Sequence, residues 1–485
     1  MKTPILGSSY VTRSVNAADS RMVNLFPELV PEGGKESAFL SRAPGLTLVA
    51  SVGTGPVRGM IVMGGLLYVV SGSTLYSVDA NYNIVTIGTV VNDGKPVSMA
   101  TGPGLTTNNL FIACNGPSYL YSVDPVSGGL FGQIVDPAFK GAVTVGFLDG
   151  FFVWNQPNTQ TIWVLDVLNI GNGINPLNFK QAEGSPDNVV GLIVDHRELW
   201  IFGTNSTEVW YDAGNPLYPF APIQGAFSEI GCASPWTIAK MDNTVFWLSS
   251  DARGQGIVYK ARGYTGQRIS THALEWQIQQ YGDISNALAY TYQQDGHAFY
   301  VLVFPGHNTT WVYDAATQAW HERAGFSSGA FTRHAGNCQV FFNNFNLVGD
   351  YSNGNIYKFD LYNYTDNGAP QRWLRSWRAL ASGENKLTRA AHHSLQLDCE
   401  SGVGLNAGQG SDPQVMLRWS DDGGHTWSNE HWASMGKIGE FYRRVIWRRL
   451  GMTLKLRDRV YEVSGTDPVK IIIMGAELNA SGSNA

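Results

Sequence analysis

Charged residues, cysteines and long apolar runs are all scarce in this chain of 485 residues. Charged residues make up 15%, against about a quarter in a typical soluble protein. Hydrophobic residues make up 44%, so the chain can bury a substantial core, and most of it is not disordered. At this length we expect two or more domains or a repeat array.

The cysteines and the apolar segments exclude several classes of protein. The four cysteines are too widely spaced for a Cys-x-x-Cys metal or redox motif, and we interpret them as buried apolar residues in a reducing compartment: Cys114, Cys232, Cys338 and Cys399. No apolar run approaches the ~20 residues of a membrane span, and the N-terminus lacks the apolar segment of a secretory signal. We therefore expect a soluble protein that is not exported through a signal pathway.

The net charge of −6 argues against a protein that binds nucleic acid by neutralising phosphates over its whole surface. The charge is unevenly distributed. Residues 1–370 contain 18 Lys and Arg against 27 Asp and Glu, which is −9, whereas residues 371–485 contain 15 against 12, which is +3. The two parts of the chain therefore present surfaces of opposite sign.

Glycine and aromatic residues are abundant: 55 glycines and 12% aromatics favour turns and strands over long surface helices. They occur in a repeated unit, in which a short apolar or aromatic strand and a polar turn precede a second strand that ends in aromatic-x-apolar-Asp or a close variant. Seven units are found, over residues 67–79, 110–124, 151–166, 199–212, 245–260, 299–314 and 345–360.

The period of these units predicts a β-propeller. The recurring aspartates are 45, 42, 46, 102 and 46 residues apart, the long step spanning a degenerate unit: Asp79, Asp124, Asp166, Asp212, Asp314 and Asp360. A period in the forties is typical of a four-stranded propeller blade. We predict an all-β fold with a propeller of six or seven blades, seven favoured. Each aspartate is expected to accept a backbone N–H two residues on and hold a turn, rather than to catalyse.

Composition divides the chain into four regions. Residues 1–44 lack the repeat and contain several prolines, so we expect an extended N-terminal arm or cap. The propeller is expected over 45–370. Residues 371–478 are rich in Arg and Trp and contain paired strand patterns, which predict a smaller β-sandwich-like domain with one basic face in water. Residues 479–485 are expected to be a disordered tail.

One motif resembles the Asp-box of glycosidase propellers. The pattern Ser-x-Asp-x-Gly-x-Thr-Trp is formed by Ser420, Asp422, Gly424, Thr426 and Trp427. We expect Asp422 to cap backbone amides, Gly424 to supply a positive φ and Trp427 to fill the adjacent core. A glycosidase would also need two carboxylates placed across the scissile bond, and the sequence indicates no such pair. We interpret the motif as a structural hairpin, with a glycan-binding or glycoside-processing propeller as the alternative.

No catalytic, metal or cofactor motif is found. The patterns H-E-x-x-H, G-x-x-x-x-G-K-[ST] and G-x-S-x-G do not occur, nor does G-x-G-x-x-G after a strand. The adjacent His392 and His393 lie on a strand-like segment and should point to opposite faces, which disfavours a shared zinc ion. We expect a protein that is not an enzyme and that has no cofactor.

The C-terminal region contains a basic cluster of seven residues within 17 positions: Arg443, Arg444, Arg448, Arg449, Lys455, Arg457 and Arg459. A charge run is usually a solvated face. The bias toward arginine, and the interleaved Tyr442 and Trp447, favour instead the recognition of carboxylates or phosphates. Both interpretations stay open, the second as an interface with an acidic partner, a neighbouring subunit or nucleic acid.

The chain resembles the packaged-DNA stabilisation proteins of short-tailed double-stranded DNA phages, also called tail hubs or nozzles. The resemblance covers most of the chain and is carried by Asn24–Glu28 and Ala43–Leu46 in the arm, Ser185–Asp187, Leu199–Gly203 and Ser206–Tyr211 in the repeats, and Val445–Gly451 near the C-terminus.

The resemblance implies a structural protein of the phage tail in the virion, made in the host cytoplasm. It implies a hexameric ring of copies that extends the portal DNA channel, helps to close the head and retains packaged DNA. The implied partners are the portal adaptor ring, a tailspike or fibre, a tail needle or plug, and double-stranded DNA that passes without sequence specificity. A cellular scaffold that binds peptides is a third, weaker hypothesis.

Overall fold

The computed structural model describes the chain except residues 12, 14–18, 32–33, 125, 127, 217, 251–255, 381–388, 454–458 and 483–485. Within the described part, strands dominate, and the one α-helix is α1 (His272–Tyr281), which begins after the N-cap Thr271. Three short 3-10 helices span Val167–Asn172, Pro235–Thr237 and Pro305–His307. No helix in the described residues is both long and apolar enough to cross a membrane.

The N-terminal 51 residues form six strands: β1 (Tyr10–Val11), β2 (Asp19–Ser20), β3 (Met22–Val23), β4 (Leu25–Leu29), β5 (Ala38–Arg42) and β6 (Gly45–Ser51). Strands β1 and β2 pair with each other, and the other four join sheets built from distant parts of the chain.

Seven four-stranded blades follow, each antiparallel. Blades 1 to 3 contain β7 (Val57–Met63), β8 (Leu66–Ser71), β9 (Thr74–Val78) and β10 (Ile84–Thr89); β11 (Ser98–Pro103), β12 (Asn108–Ala113), β13 (Ser118–Asp124) and β14 (Gly128–Gln133); β15 (Val145–Leu148), β16 (Phe151–Asn155), β17 (Thr161–Asp166) and β18 (Phe179–Gln181).

Blades 4 to 6 contain β19 (Val189–Asp195), β20 (Glu198–Gly203), β21 (Thr207–Asp212) and β22 (Phe220–Ser228); β23 (Ala239–Met241), β24 (Thr244–Ser250), β25 (Gly256–Arg262) and β26 (Thr265–Arg268); β27 (Leu288–Gln294), β28 (His297–Phe304), β29 (Thr309–Asp314) and β30 (Ala319–Glu322). The hairpin β31 (Ala324–Ser327) and β32 (Ala330–Arg333) precedes blade 7, whose own strands are β33 (Gly336–Phe342), β34 (Phe345–Asp350) and β35 (Asn355–Asp360).

The ring is closed by a strand from the other end of the propeller sequence. Strand β6 pairs antiparallel with β35, with Gly45 opposite Asp360 and Ser51 opposite Asn355, and supplies the fourth strand of blade 7. The prediction of seven blades is confirmed, and the seven sequence repeats are the second and third strands of the blades. In six of the seven neighbouring pairs of blades, the first strands contact one another around the axis. Closure leaves few free strand edges, which favours a rigid block.

The C-terminal strands are β36 (Thr365–Asp366), β37 (Ala369–Pro370), β38 (Trp373–Arg378), β39 (Ala390–Cys399), β40 (Gln414–Ser420), β41 (His431–Ser434), β42 (Val445–Met452), β43 (Val460–Gly465) and β44 (Ile472–Gly482). Strands β36 and β37 extend the sheet of blade 7 beyond β6, and the other strands form a β-sandwich, as predicted. One sheet has the order β3-β38-β43-β40-β41 and the other β4-β5-β44-β39-β42. Side chains of both sheets, such as Trp373 and Leu395, share one buried core.

The sandwich is joined to the propeller through β3. This strand pairs parallel with β30 at Val23 and Glu322 and antiparallel with β38, so that blade 6 and one sandwich sheet form a continuous sheet of nine strands. The fused sheet fixes the sandwich beside blade 6.

The two ends of the chain differ from the sequence expectation. Strands β3, β4 and β5 do not form a separate extended arm, because Met22, Leu25 and Leu40 are fully buried in the sandwich core. The expected disordered tail 479–485 is strand as far as Gly482, because its backbone pairs with residues 390–394 of β39. Residues 483–485 lie outside the described part. The domain limits at 44, 370 and 478 stay predictions.

Candidate interaction surface

The arginine-rich strand β42 lies at the edge of its sheet, paired with β39 alone among the described strands. Val445, Trp447 and Leu450 point into the sandwich core. The register shifts between the pairs Ser394–Arg448 and His392–Gly451, and Arg449 has a φ of 60°. Such a bulge turns two adjacent side chains to the same side of a strand, which regular alternation does not allow. Arg448 and Arg449 are therefore both exposed.

The segment before β42 extends this surface. Phe441 is 69% exposed and Tyr442 is 91% exposed, and Arg443 and Arg444 beside them are also exposed. The Arg444 Nε donates to Gln396 Oε1 at 3.2 Å. We call the exposed set "the basic surface": Phe441, Tyr442, Arg443, Arg444, Arg448 and Arg449.

The cations of the basic surface have little to neutralise them within the chain. Among the described residues, Arg443, Arg448 and Arg449 take part in no ion pair. Arginines without a partner, beside exposed aromatic rings, form a composition that is enriched in protein interfaces. The surface can therefore receive carboxylates of another protein without first breaking internal salt bridges.

Arg459 does not belong to this surface, in contrast to the sequence prediction. The residue is 2% exposed, and its Nε and Nη2 donate to the two Asp421 oxygens at 2.6 and 2.8 Å. Its Nη1 donates to the Leu450 carbonyl at 2.7 Å, and the guanidinium lies 5.3 Å from the centre of the Trp419 ring. These contacts satisfy the side chain inside the sandwich. Lys455 and Arg457 lie outside the described residues.

The aromatic residues that are exposed at this surface also differ from the predicted ones. The interleaved Trp447 is buried, and its Nε1 donates to the His431 carbonyl at 2.8 Å. Phe441, which the sequence analysis did not single out, is exposed with Tyr442. The exposure of Phe441 could have been predicted from the run Phe441–Arg444, because this run has no apolar–polar alternation and so does not indicate a half-buried strand.

The Asp-box motif forms a turn held together by its own side chains. The Ser420 hydroxyl donates to Asp422 Oδ1 at 2.6 Å, and the amide of Gly424 donates to Ser420 Oγ at 2.8 Å. Both Asp422 oxygens accept from Thr426, the amide at 2.9 and 3.0 Å and the hydroxyl at 2.6 Å. Gly424 has a φ of 100°. The hydrogen bonds from Ser420 and Thr426 hold the pKa of Asp422 well below its usual range.

Trp427 does not fill a core as expected. It is half-buried, and the Arg418 guanidinium lies 4.6 Å from its ring centre. Because the carboxylate of Asp422 accepts bonds within the turn, the motif's acid already has a structural role. The glycan alternative stays a prediction.

The recurring aspartates hold turns, as predicted. Each accepts a backbone amide two residues on, at 2.7 to 3.1 Å, in all six cases: Asp79, Asp124, Asp166, Asp212, Asp314 and Asp360. Asp314 also bonds His297 Nδ1 at 2.8 Å in a buried pair, and this bond raises the pKa of His297. The four cysteines are free thiols, and burial raises the pKa of each.

The tandem histidines point to opposite faces of β39, as predicted. His392 is buried, with Nδ1 2.6 Å from the Tyr461 hydroxyl, whereas His393 is exposed near Ser481. In the part of the chain that the structure describes, no group of three or more His, Cys, Asp or Glu side chains is placed to hold a metal ion.

The arrangement of domains matches a known family along nearly the whole chain. Residues 1–363 match the family model described as bacteriophage P22 Gp10, beta-propeller, and residues 372–481 match the model described as bacteriophage P22 Gp10, beta-sandwich. The chain belongs to this family. It is 22% identical over 456 residues to tail hub protein gp10 of Salmonella phage P22, with 90% of each chain covered.

The solved structures that the chain is similar to are distant. The extracellular domain of BT4673 from B. thetaiotaomicron has a TM-score of 0.43 and 12% identity, covering 82% of this chain, which spans about half (48%) of that longer one. The N-terminal domain of Nup159 has a TM-score of 0.38 and 9% identity, covering 68% of this chain and 97% of that domain. Both TM-scores lie below 0.5.

Proposed function

We propose that the protein is the structural tail hub, or nozzle, of a short-tailed phage. In this role it extends the portal DNA channel, helps to close the head, and retains the packaged DNA. The observation that carries the proposal is the match to tail hub protein gp10 over 90% of both chains, together with propeller and sandwich models that match in the same order. The protein then acts in the virion without catalysis or cofactor.

The fold supports a role as a rigid building block. Strand β6 closes the propeller, and the nine-stranded sheet fuses blade 6 to the sandwich. A propeller exposes few edges that could pair at random, so its contacts can be restricted to chosen surfaces. The sandwich provides such a surface at a fixed position relative to the propeller.

The basic surface supports assembly of copies into a ring, which we propose to be a hexamer. Residues 1–370, most of which form the propeller, have a net charge of −9, so a neighbouring copy offers an acidic counter-surface. A contact between two different surfaces of identical chains is heterologous, and it closes into a ring when the rotation between copies allows. The same surface could alternatively receive the adaptor ring, the tailspike or fibre, or the needle.

The charge of the propeller also fits a DNA channel. An acidic, charge-poor wall offers few cations to phosphates, so a duplex would pass with little electrostatic retention. The channel function then depends on ring geometry rather than on sequence-specific contacts with bases.

Electron microscopy of the purified full chain, alone and mixed with portal–adaptor complexes, tests the proposal. We expect rings that attach to the adaptor end of the portal. In infected cells, particles made without this protein should package DNA but lose it, measured as DNA that becomes sensitive to nuclease. A protein that stays monomeric and never joins the portal complex, with unchanged nuclease protection in its absence, would contradict the proposal.

A further inference from the structure

A cavity of about 660 Å³ opens at the propeller axis, on the side where the first strands of the blades begin. All seven blades contribute to its wall, and representative residues are Arg58, Lys95, Asn158, Asn188, Trp236 and Arg333. A smaller cavity of about 160 Å³ continues from it and shares Arg58, Trp236 and other residues. Neither the assembly surface nor the aspartate turns use this space.

The charges that line the cavity have one sign. Its wall contains Arg58, Lys95 and Arg333 and neither Asp nor Glu, although the whole chain has a net charge of −6. Arg58 lies in blade 1, Lys95 in the connection between blades 1 and 2, and Arg333 in the hairpin before blade 7, which are neighbours around the closed ring. The positive side of the cavity therefore faces an uncharged side that includes Trp236.

Arg333 is a buried cation whose hydrogen bonds are incomplete. The residue is 6% exposed, and its Nε has no hydrogen-bond partner among the residues that the structure describes. Its Nη2 makes long bonds of 3.4 Å to the Gly336 carbonyl and 3.3 Å to Asn337 Oδ1, and the guanidinium lies 4.0 Å from the Tyr351 ring centre. A buried guanidinium without a carboxylate is costly, so an anion that reaches it would be stabilised.

Among the described residues, the nearby acids form no ion pair with Arg333 and bond other groups. Asp350 accepts from the Ser352 amide at 2.7 Å and from the Tyr357 hydroxyl at 2.8 Å, within its own blade. Asp93 pairs with Arg58, whose other donors are taken by backbone carbonyls such as that of Lys95 at 2.7 Å. Arg58 is thus a fixed part of the wall, and Arg333 and Lys95 are the cations left for a ligand.

We propose that this axial cavity binds a small ligand through an oxyanion group, a carboxylate or a phosphate, held by Arg333 and Lys95. Arginine suits such groups because its planar fork matches two oxygens at once. Side-chain amides at Asn158 and Asn188 line the same space and can bond the uncharged part of the ligand. The volume is that of a small-molecule site, so the ligand is a small molecule or the end of a chain and not a DNA duplex.

Isothermal titration calorimetry of the full chain at low salt tests the proposal, with pyrophosphate and with triglutamate as separate probes. We expect one saturable site for at least one probe, and the identity of that probe distinguishes a phosphate from a carboxylate source. Lys95→Met and Arg333→Met should each weaken binding at least tenfold. Arg262→Met removes an exposed cation that does not line the cavity and should leave binding unchanged.

Lys95 is exposed, so its variant keeps the test valid if Arg333→Met fails to fold. Thermal melting of each variant identifies a folding defect before binding is compared. Absence of saturable binding of both probes at millimolar concentration would overturn the proposal. Binding that persists equally in a folded Lys95→Met variant and in a folded Arg333→Met variant would also overturn it, because the anion would then lie elsewhere. Ring assembly is not needed for either result.

Discussion

Asn24 and Ala324 exchange two hydrogen bonds across 300 residues of sequence. The Asn24 Nδ2 donates to the Ala324 carbonyl at 2.8 Å, and the Ala324 amide donates to Asn24 Oδ1 at 3.0 Å. The same Nδ2 also donates to the Arg372 carbonyl at 2.7 Å. One buried side chain therefore connects the N-terminal strands, the segment after blade 6 and the start of the sandwich.

We expect Asn24→Ala to destabilise the protein. The change leaves buried backbone groups at Ala324 and Arg372 without partners, which should cost about 1–3 kcal/mol of unfolding free energy. Asn24 also has a φ of 52°, where alanine is strained by a further ~1–2 kcal/mol. Chemical denaturation of two variants separates the lost hydrogen bonds from the backbone strain. Asn24→Gly loses the same hydrogen bonds as Asn24→Ala, but glycine tolerates the positive φ. Equal unfolding free energies of the wild type and both variants would show that the hydrogen bonds of Asn24 are not important for stability.

The buried pair of Arg459 and Asp421 should be structural. Arg459→Met leaves a largely buried carboxylate without its partner and should lower the unfolding free energy by about 3–5 kcal/mol. The double variant Arg459→Met with Asp421→Leu removes both charges and should recover much of this loss. Denaturant midpoints of the two single variants and the double variant give the coupling. Additive effects would instead assign Arg459 no specific interaction with Asp421.

The His297–Asp314 pair should make stability depend on pH. The bond to Asp314 raises the pKa of His297 in the folded state. Its contribution is therefore fully present below the unfolded pKa of about 6.5 and is lost as pH rises through the folded pKa. We expect the stability difference between wild type and His297→Gln to be larger near pH 6 than near pH 9.

Another histidine makes the comparison with a variant necessary. Burial holds the pKa of His321 well below its usual value, so His321 acts in the opposite direction and destabilises the fold in acid. Because His321 is present in both proteins, it largely cancels from the difference between wild type and His297→Gln. A difference that is independent of pH would contradict the assignment to His297.

Charge reversal on the basic surface should impair assembly without unfolding the protein. Arg443→Glu with Arg444→Glu places two acids opposite an acidic partner and should weaken association at least about tenfold. Sedimentation velocity and electron microscopy measure the loss of rings. Arg197→Glu with Arg262→Glu reverses two exposed arginines of the propeller and serves as the charge-matched control. Unchanged assembly of the Arg443→Glu with Arg444→Glu variant would indicate that these arginines form an ordinary solvated face.

The Asp422 turn should be structural and not a glycan site. Asp422→Asn weakens the bonds from Ser420 and Thr426, so we expect local loosening that hydrogen exchange of the Thr426 amide can measure. A glycan array and a fluorogenic glycoside panel, run on wild type and variant, should show no signal that depends on Asp422. Binding or turnover by wild type that disappears in a folded Asp422→Asn variant would support the glycan alternative.

Much of the fold could be predicted because its signals are local. Each aspartate turn is encoded within a few residues, and the apolar strands that flank it recur with the blade. The orientation of His392 and His393 likewise followed from the two-residue period of a strand. These predictions depended on neighbouring residues alone, and the structure confirmed them.

The surface could be predicted only in part. The cluster from Arg443 to Arg459 is one charge run in the sequence. In the structure, a bulge exposes Arg449, whereas Arg459 is buried and bonded to Asp421. Asp421 is 38 residues away in the sequence, and no local pattern identifies it as the partner. Charge composition therefore located the surface without identifying its members.

The sequence by itself determined that this protein is a β-propeller of six or seven blades followed by a sandwich, because the strand alternation and the turn residues act over short distances. Only the tertiary structure decided that β6 closes blade 7, that β3, β4 and β5 complete the sandwich, and that Arg333 is buried at an axial cavity without an ion pair to a described carboxylate. These features depend on contacts between residues up to hundreds of positions apart, whose free energies are realised only once the chain has brought them together.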